Sequence, residues 1–343
     1  MSGISREWVV FELTPIAQGR LLATLAGLMK TFRSGVIGFV LLLIPSFVTA
    51  TDAPAVKKTV HLLTIGNSFS RNATHYLGDL AKAGGHTLIH RPIVVGGASF
   101  ELHSEKALKH AANAQDKAGL YTNGSSLVQE LKADSWDYVT IQQASIKSHD
   151  LSTYQPHAGR LSELIHQHAP QAKLLVHQTW AYRKDDPRFT KPSDKPGEPK
   201  TQAEMYAGLS AAYAAITKEL NAQRIPVGDA FYLADTDPQW GYQTDTDFDF
   251  KTVKQPALPV QKHSLHVGWQ WKPQKSGKTT LGMDGHHANA AGEYLGACVW
   301  YEVLFGQSAV GNAYVHAGLD AAYAHFLQET AHRAVIQEQA ATK

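Results

Sequence analysis

The feature that most constrains the fold is an alternation of short apolar runs with longer helix-like stretches along residues 59–228. The apolar runs predict five strands, at 59–65, 87–95, 138–141, 173–176 and 225–228. The intervening stretches predict helices at 71–83, 100–112, 125–133, 157–168 and 202–220, with two more at 288–305 and 319–338. This alternation indicates an α/β fold in which helices cover both faces of a parallel sheet.

Two stretches interrupt the alternation. Residues 183–200 contain several prolines and many charges, which predicts a surface loop. Residues 235–282 show no clear periodicity but contain several aromatic residues. A segment of that length in a compact domain is usually functional, so we expect it to form one wall of a site. We therefore predict a single domain over residues 51–343, with an insertion at about 235–282.

The N-terminal region has the three-part layout of a secretory signal peptide. Residues 29–33 form a short basic start, residues 36–47 an apolar run, and residues 48–50 a small-residue cleavage site. This predicts Met29 as the true start, residues 1–28 as upstream sequence, and a secreted or periplasmic protein with no stable membrane span after cleavage. The alternative is an uncleaved anchor, for which the run is short beside the ~20 residues that a spanning helix needs.

Charge and cysteine content exclude several classes of protein. The formal net charge is +2 with no long basic block, so nucleic-acid binding has no electrostatic support. The single cysteine, Cys298, excludes an internal disulfide. Its apolar, helix-like surroundings predict a small buried residue rather than a nucleophile. The oligomeric state is not indicated by the sequence.

The first motif with catalytic potential is Gly66-Asn67-Ser68-Phe69-Ser70, directly after the first predicted strand. Glycine and asparagine tolerate the tight turn that would present Ser68 at the end of a buried strand. A helix beginning behind Ser68 would place backbone N–H groups where an oxyanion forms. The alternative is an ordinary strand–helix turn in which Ser68 or Ser70 caps the helix.

The second motif places Asp284 three residues before His287, ahead of a predicted helix. This spacing lets the carboxylate turn back onto the imidazole, which could then accept and return the proton of a serine hydroxyl. His286 is the rival base. Two alternatives are an aspartate cap beside two surface histidines and a metal site, for which this set lacks further ligands. We expect no metal and no organic cofactor.

Other candidates follow the predicted strands. Gly96-Gly97 could bring a backbone N–H against a substrate oxygen, although a glycine pair is more often a simple turn. The pair Gln142-Gln143 could donate side-chain amide hydrogens. Trp180 and Tyr182 follow the fourth strand and could line a cleft, although ordinary packing is as common a role. The predicted substrate-contacting residues are Asn67, Gln142, Trp180 and Tyr182.

Together these motifs resemble the SGNH/GDSL hydrolases. The run Gly66-Asn67-Ser68-Phe69 resembles their first block, in which the serine follows Gly-Asp. Gly97 falls where the second block has its glycine, and residues 284–292 are similar to the last block, Asp-x-x-His before a helix. The resemblance spans about 60–305. It implies a flavodoxin-like three-layer α/β/α sandwich with a five-stranded parallel sheet.

The resemblance also implies roles. Ser68 would be the nucleophile, His287 the base and Asp284 its partner. The N–H groups of Ser68 and Gly97 and a side chain of the third block would form the oxyanion hole. That block normally reads Gly-x-Asn-Asp, whereas residues 141–145 read Ile-Gln-Gln-Ala-Ser, as in a poorly characterised exported branch. We assign the donor role to Gln143, with Gln142 as the alternative, and expect Asn67 in place of aspartate to matter little.

The expected function is that of an exported serine esterase working through an acyl-enzyme. Its preferred substrate would be an acylated, most simply acetylated, carbohydrate, followed by a lipid or small-molecule ester. The main alternative is a carbohydrate-binding or surface-interaction protein on the same fold with idle catalytic residues. A phosphoester hydrolase is a further alternative, but the sequence offers little to hold the metal that it would use.

Overall fold

Five strands form one parallel sheet in a computed structural model that describes residues 56–341. They are β1 (Thr59–Gly66), β2 (Thr87–Val94), β3 (Tyr138–Ile141), β4 (Lys173–His177) and β5 (Gln223–Ile225). Their order across the sheet is β2-β1-β3-β4-β5, and every pairing is parallel. The five-stranded parallel sheet expected from the sequence is therefore confirmed. The predicted signal peptide and the start at Met29 lie outside the described residues.

Helices cover both faces of the sheet. In chain order they are α1 (Ser68–Ala73), α2 (Leu77–Ala83), α3 (Phe100–Ala112), α4 (Leu127–Leu131), α5 (His157–His168), α6 (Pro187–Thr190), α7 (Gln202–Glu219), α8 (Val227–Asp235), α9 (Ala290–Phe305) and α10 (Ala321–Ala341). One layer contains α3, α4 and α5, which pack together. In the other layer α9 packs against α1, α2, α8 and α10. The result is the three-layer α/β/α sandwich.

Strand burial follows from position in the sheet. The interior strand β1 is buried over nearly its whole length, as expected for a parallel strand covered on both faces. Strand β2 is an edge strand and is half-exposed, which explains why it can contain Pro92, a residue without an N–H to donate. Helix α9 is buried on nearly all sides and contains Cys298, whose thiol pKa is raised by burial.

The predicted helix at 71–83 is split into α1 and α2. Both the backbone N–H and the hydroxyl of Thr74 donate to the carbonyl of Ser70, which ends α1. The last strand of the sheet also differs, because it ends at Ile225 rather than continuing to 228. Pro226 cannot extend the strand pairing, and α8, which the sequence analysis did not predict, begins directly after it.

An antiparallel hairpin that was not expected from the sequence begins within the insertion at 235–282 and extends beyond it. Its strands are β6 (His266–Pro273) and β7 (Thr279–Ala288). Most of their residues are half-exposed, so neither strand shows a clean alternation of apolar and polar residues. Strand β7 extends to Ala288, and the following helix therefore begins at Ala290 rather than at 288.

The segment predicted as a surface loop, 183–200, begins with a buried anchor. Arg183 is 0 % exposed and forms an ion pair with Asp185. Its Nη1 donates to Gln261 Oε1 and Ser264 Oγ, and its guanidinium lies over the ring of Tyr242. Arg183 therefore attaches this segment to the insertion. None of the helices within residues 56–341 has both the length and the apolar character needed to cross a membrane.

Asp235 makes stability depend on pH. Burial raises its pKa to about 7, although Gln202 donates a hydrogen bond to it. Because the unfolded pKa is about 3.9, the folded chain retains this proton between about pH 4 and 7, and stability falls as pH rises through that window. We expect Asp235→Asn to flatten this dependence in urea unfolding at pH 5 and 7.5. An unchanged difference between the two pH values would contradict it.

Candidate active site

The first motif lies at the carboxyl end of β1, where ligands of parallel sheets bind. Asn67 caps α1 by accepting a hydrogen bond from the N–H of Phe69, so Ser68 is the first residue of the helix. Gly66 has no room for a side chain, since an added Cβ would lie 2.9 Å from Gln142 Oε1. The turn therefore lies directly against Gln142, which follows β3, and Ser68 is half-buried at the carboxyl ends of the strands.

The structure joins the two motifs by a chain of hydrogen bonds. Nε2 of His287 lies 2.9 Å from the hydroxyl oxygen of Ser68. Nδ1 of the same ring lies 3.0 Å from Oδ2 of Asp284. Ser68, His287 and Asp284 thus have the geometry in which a carboxylate orients an imidazole that faces a hydroxyl. His286, the rival base, does not occupy the position next to Ser68.

Asp284 and His287 lie on β7, shortly before α9. They can meet because of an irregularity in the hairpin, where Gly268 pairs with Asp284 and His266 with Ala288. The four residues from Asp284 to Ala288 on β7 therefore span the same distance as the two from Gly268 to His266 on β6, and the extra residues on β7 bend the chain. The bend brings the backbone N–H of His287 to within 3.1 Å of Asp284 Oδ1.

Asn289 secures this bend, a role that the sequence analysis missed. Its Nδ2 donates to the carbonyls of Ser264 and His266 on the β6 side. Its Oδ1 accepts from the N–H groups of Ala291 and Gly292 and so caps α9. An asparagine directly before an alanine-rich helical run is the signal that could have revealed it.

The electrostatics of the site favour an ionised carboxylate beside the histidines. Burial alone would raise the pKa of Asp284, but hydrogen bonds from the ring and backbone of His287, with the charges of both histidines, hold it well below its usual range. Nδ1 of His286 lies 3.2 Å from Asp284 Oδ1. Burial lowers the pKa of His286, and the charge of Asp284 opposes this shift.

The same three residues are the only group within residues 56–341 that brings three metal-ligating side chains together. The ligand atoms of Asp284, His286 and His287 lie within 4.8 Å of one another. In the structure Nδ1 of His287 and Oδ2 of Asp284 are hydrogen-bonded to each other. Hydrogen bonding accounts for this arrangement without a metal.

Two backbone N–H groups near Ser68 are available as donors. The Ser68 N–H begins α1, and the Gly97 N–H follows β2; in the part of the chain that the structure describes, neither has an acceptor. Gly97 has φ +66°, a conformation that favours glycine. The side chain of Asn67 donates to the carbonyl of Ala98 at 2.8 Å, which attaches the Gly97 loop to the Ser68 turn.

The structure does not support Gln143 as a third donor. Its Nε2 donates to the carbonyl and hydroxyl of Thr153, and its Oε1 accepts from the N–H groups of Phe100 and Ala144. Both amide hydrogens are therefore occupied. The alternative, Gln142, donates to Asn67 Oδ1 and more weakly to the carbonyl of Gln143. Neither glutamine offers a free hydrogen to an oxyanion in this conformation.

The predicted substrate contacts are also largely structural. Trp180 is 0 % exposed, stacks on Phe231 with ring centres 4.4 Å apart, and donates its indole N–H to the carbonyl of His286. Trp180 is therefore part of the packing that holds the backbone of His286 in place. Tyr182 is buried, and its hydroxyl is hydrogen-bonded with Ser145. Asn67 and Gln142 are buried as well and bond to protein groups.

An open cleft of about 550 Å³ lies between α1, β2 and the start of α9. Arg71 lines it from α1, one turn beyond Ser68, and Val94 lines it from the end of β2. Polar side chains among the lining residues include His75, His90 and Glu293, but most of the exposed lining surface is apolar.

Comparisons with known proteins agree with this fold. Residues 61–230, nearly half of the chain, match a family described as a domain of unknown function, DUF4886. No curated protein matches the sequence significantly. A DUF4886 family protein from Bacteroides uniformis is similar in structure, with 25% identity, a TM-score of 0.60, and coverage of 81% of this chain and 95% of that chain.

Two other solved structures are more distant. A candidate SGNH hydrolase from Slackia heliotrinireducens has 20% identity and a TM-score of 0.43, covering 71% of this chain and 98% of its own. A candidate GDSL-like lipase from Parabacteroides merdae has 12% identity and a TM-score of 0.40, covering 73% and 97%. The five-stranded parallel sheet, and the order in which the Ser68 motif and the Asp284–His287 motif follow along the chain, are those that the resemblance to the SGNH/GDSL hydrolases implies.

Proposed function

We propose that this protein is a serine hydrolase that cleaves ester bonds through an acyl-enzyme. The observation that carries the proposal is the hydrogen-bonded chain from Ser68 through His287 to Asp284, with contacts of 2.9 and 3.0 Å. A serine hydroxyl is a weak nucleophile until a neighbouring base accepts its proton. Three residues from two distant parts of the chain meet in the arrangement that supplies such a base.

The mechanism follows from the positions of these atoms. Ser68 Oγ attacks the ester carbonyl while its proton passes to Nε2 of His287. Asp284 stabilises the positive imidazole, and the N–H groups of Ser68 and Gly97 donate to the developing oxyanion. His287 then protonates the departing alcohol. Water, activated by the same histidine, releases the acid and restores Ser68.

The preferred substrate is an acylated carbohydrate, most simply an acetylated one. Polar side chains such as Arg71 and His75 line the cleft beside α1, where they can bond hydroxyl groups of an alcohol moiety. The predicted export signal is consistent with a substrate outside the cytoplasm. Buried Trp180 provides no stacking platform for a sugar, so recognition would depend on hydrogen bonds.

The second candidate is a carbohydrate-binding protein with an idle site. The observation that favours it is the occupied amide of Gln143, which leaves two backbone donors for the oxyanion. A fluorophosphonate probe separates the two functions, because it reacts with activated serines. We expect labelling of wild type at Ser68 and none of Ser68→Ala. Saturable glycan binding without labelling would favour the binding protein.

A further inference from the structure

A chain of buried amides connects the Ser68 turn to the Gly97 loop. Asn67 is 2 % exposed, and its Nδ2 donates to the carbonyl of Ala98, next to Gly97, at 2.8 Å. Its Oδ1 accepts from the N–H of Phe69 at 2.9 Å and from Nε2 of Gln142 at 2.7 Å. The side chain of Asn67 thus contacts the turn that bears Ser68, the loop that bears Gly97, and Gln142 at the end of β3.

The direction of every bond in this chain is fixed. The N–H of Phe69 can only donate, so the oxygen of Asn67 must face it and the nitrogen must face Ala98. Gln142 then presents its nitrogen to Asn67, and its Oε1 accepts from Nδ1 of His177 at 3.1 Å. Among residues 56–341, the other nitrogen of His177 is buried without a partner, and burial lowers the pKa of this histidine to about 3. His177 is therefore neutral and carries its proton on Nδ1.

We propose that Asn67 is a positioning residue that holds the N–H of Gly97 in register with Ser68, and that Gln142 and His177 fix the orientation of its amide. This inference rests on the proposed function, since it concerns the site in which Ser68 acts. The Ser68 hydroxyl and both backbone donors must converge on one carbonyl group, and small displacements of such groups are costly. In this chain the third block thus acts through Asn67 instead of donating to the oxyanion.

From the sequence alone, asparagine in place of the usual aspartate at position 67 is expected to matter little, whereas this inference predicts a large effect of Asn67→Asp. A carboxylate in place of the Asn67 amide would direct an oxygen at the Ala98 carbonyl, where two acceptors cannot bond. Protonation of that carboxyl would restore the donor. The titratable groups around it are His177 behind Gln142, His103, whose Nε2 lies 3.2 Å from the Gly66 carbonyl, and His287 at Ser68. Burial holds the pKa of His103 at about 4, so both buried histidines stay neutral above about pH 5.

The test compares Asn67→Asp with a matched control, Asn312→Asp. Asn312 makes the same two kinds of bond: Nδ2 donates to the Leu80 carbonyl at 3.1 Å, and Oδ1 accepts from the N–H of Tyr314 at 3.0 Å. We expect Asn67→Asp to lower kcat about a hundredfold with KM changed less than about threefold. Its activity relative to wild type should rise as pH falls from 8 to 5.5. Asn312→Asp should keep wild-type kcat, and its activity relative to wild type should not change with pH.

A second readout is independent of activity. Hydrogen–deuterium exchange over residues 95–99 should be faster in Asn67→Asp than in wild type and unchanged in Asn312→Asp. If wild type turns over no ester, the proposed function fails, but the exchange result still decides this inference. Equal kcat, pH ratio and exchange in the two variants would overturn it. If Asn67→Asp fails to fold, Gln142→Met takes its place and should show a smaller loss of kcat and faster exchange over residues 95–99. Wild-type kcat and wild-type exchange in Gln142→Met would then overturn the inference.

Discussion

Ser68→Ala and His287→Ala are each expected to lower kcat for p-nitrophenyl acetate by about 10⁴-fold or more. The first substitution removes the attacking oxygen, and the second removes the ring nitrogen that lies 2.9 Å from it. Because nucleophile and base act as one unit, the double variant should be little worse than either single variant. KM should change far less than kcat, since neither group is needed to hold the substrate.

His286→Ala is the matched comparison for His287→Ala. The two histidines are adjacent, their ring centres are 4.2 Å apart, and both rings contact Asp284. Only His287 reaches Ser68, so His286→Ala should cause a much smaller loss. The account of the base would be contradicted if His286→Ala abolished turnover while His287→Ala left most of it.

Asp284→Asn is expected to lower kcat by about 10³- to 10⁴-fold. The amide oxygen can still accept the backbone N–H that now bonds to Oδ1, so the bend in β7 should persist. The amide nitrogen would replace Oδ2 and donate to Nδ1 of His287. The ring would then carry its proton on Nε2, facing Ser68, and could not accept the serine proton.

The measurement is kcat for Asp284→Asn beside its unfolding midpoint in urea. We expect a large loss of rate with a folded protein. Activity within about tenfold of wild type would show that the carboxylate does not set the tautomer of His287. The depressed pKa of Asp284 adds stability that is present above the unfolded value of about 3.9 and lost as pH falls. The substitution should therefore weaken the acid dependence of unfolding.

Much of the fold could be predicted because parallel strands and their helices leave a strong local pattern. Strands such as β3 and helices such as α5 have the bounds expected from the sequence. The candidate site could be predicted in part for the same reason. Ser68 follows a buried strand, and the spacing of Asp284 and His287 indicates a contact that the structure shows.

The remaining features depend on contacts between distant segments. In this structure the side-chain amide of Gln143 donates to the carbonyl and hydroxyl of Thr153, and nothing in the local sequence indicates that partner. Trp180 follows a strand, as a cleft residue would, but in the structure it is buried and stacks on Phe231. The bend in β7 arises from unequal pairing with β6, which no periodicity within β7 reveals.

The central claim is that Ser68 forms a covalent acyl-enzyme, and trapping that intermediate tests it most directly. Wild type and His287→Ala would be mixed with p-nitrophenyl acetate, quenched in acid within the first turnovers, digested and mapped by mass spectrometry. The account predicts one acetyl group on the wild-type peptide that contains Ser68 and no acetyl there in His287→Ala. Turnover of the ester with an unmodified Ser68, or acetylation at another residue that Ser68→Ala leaves intact, would contradict it.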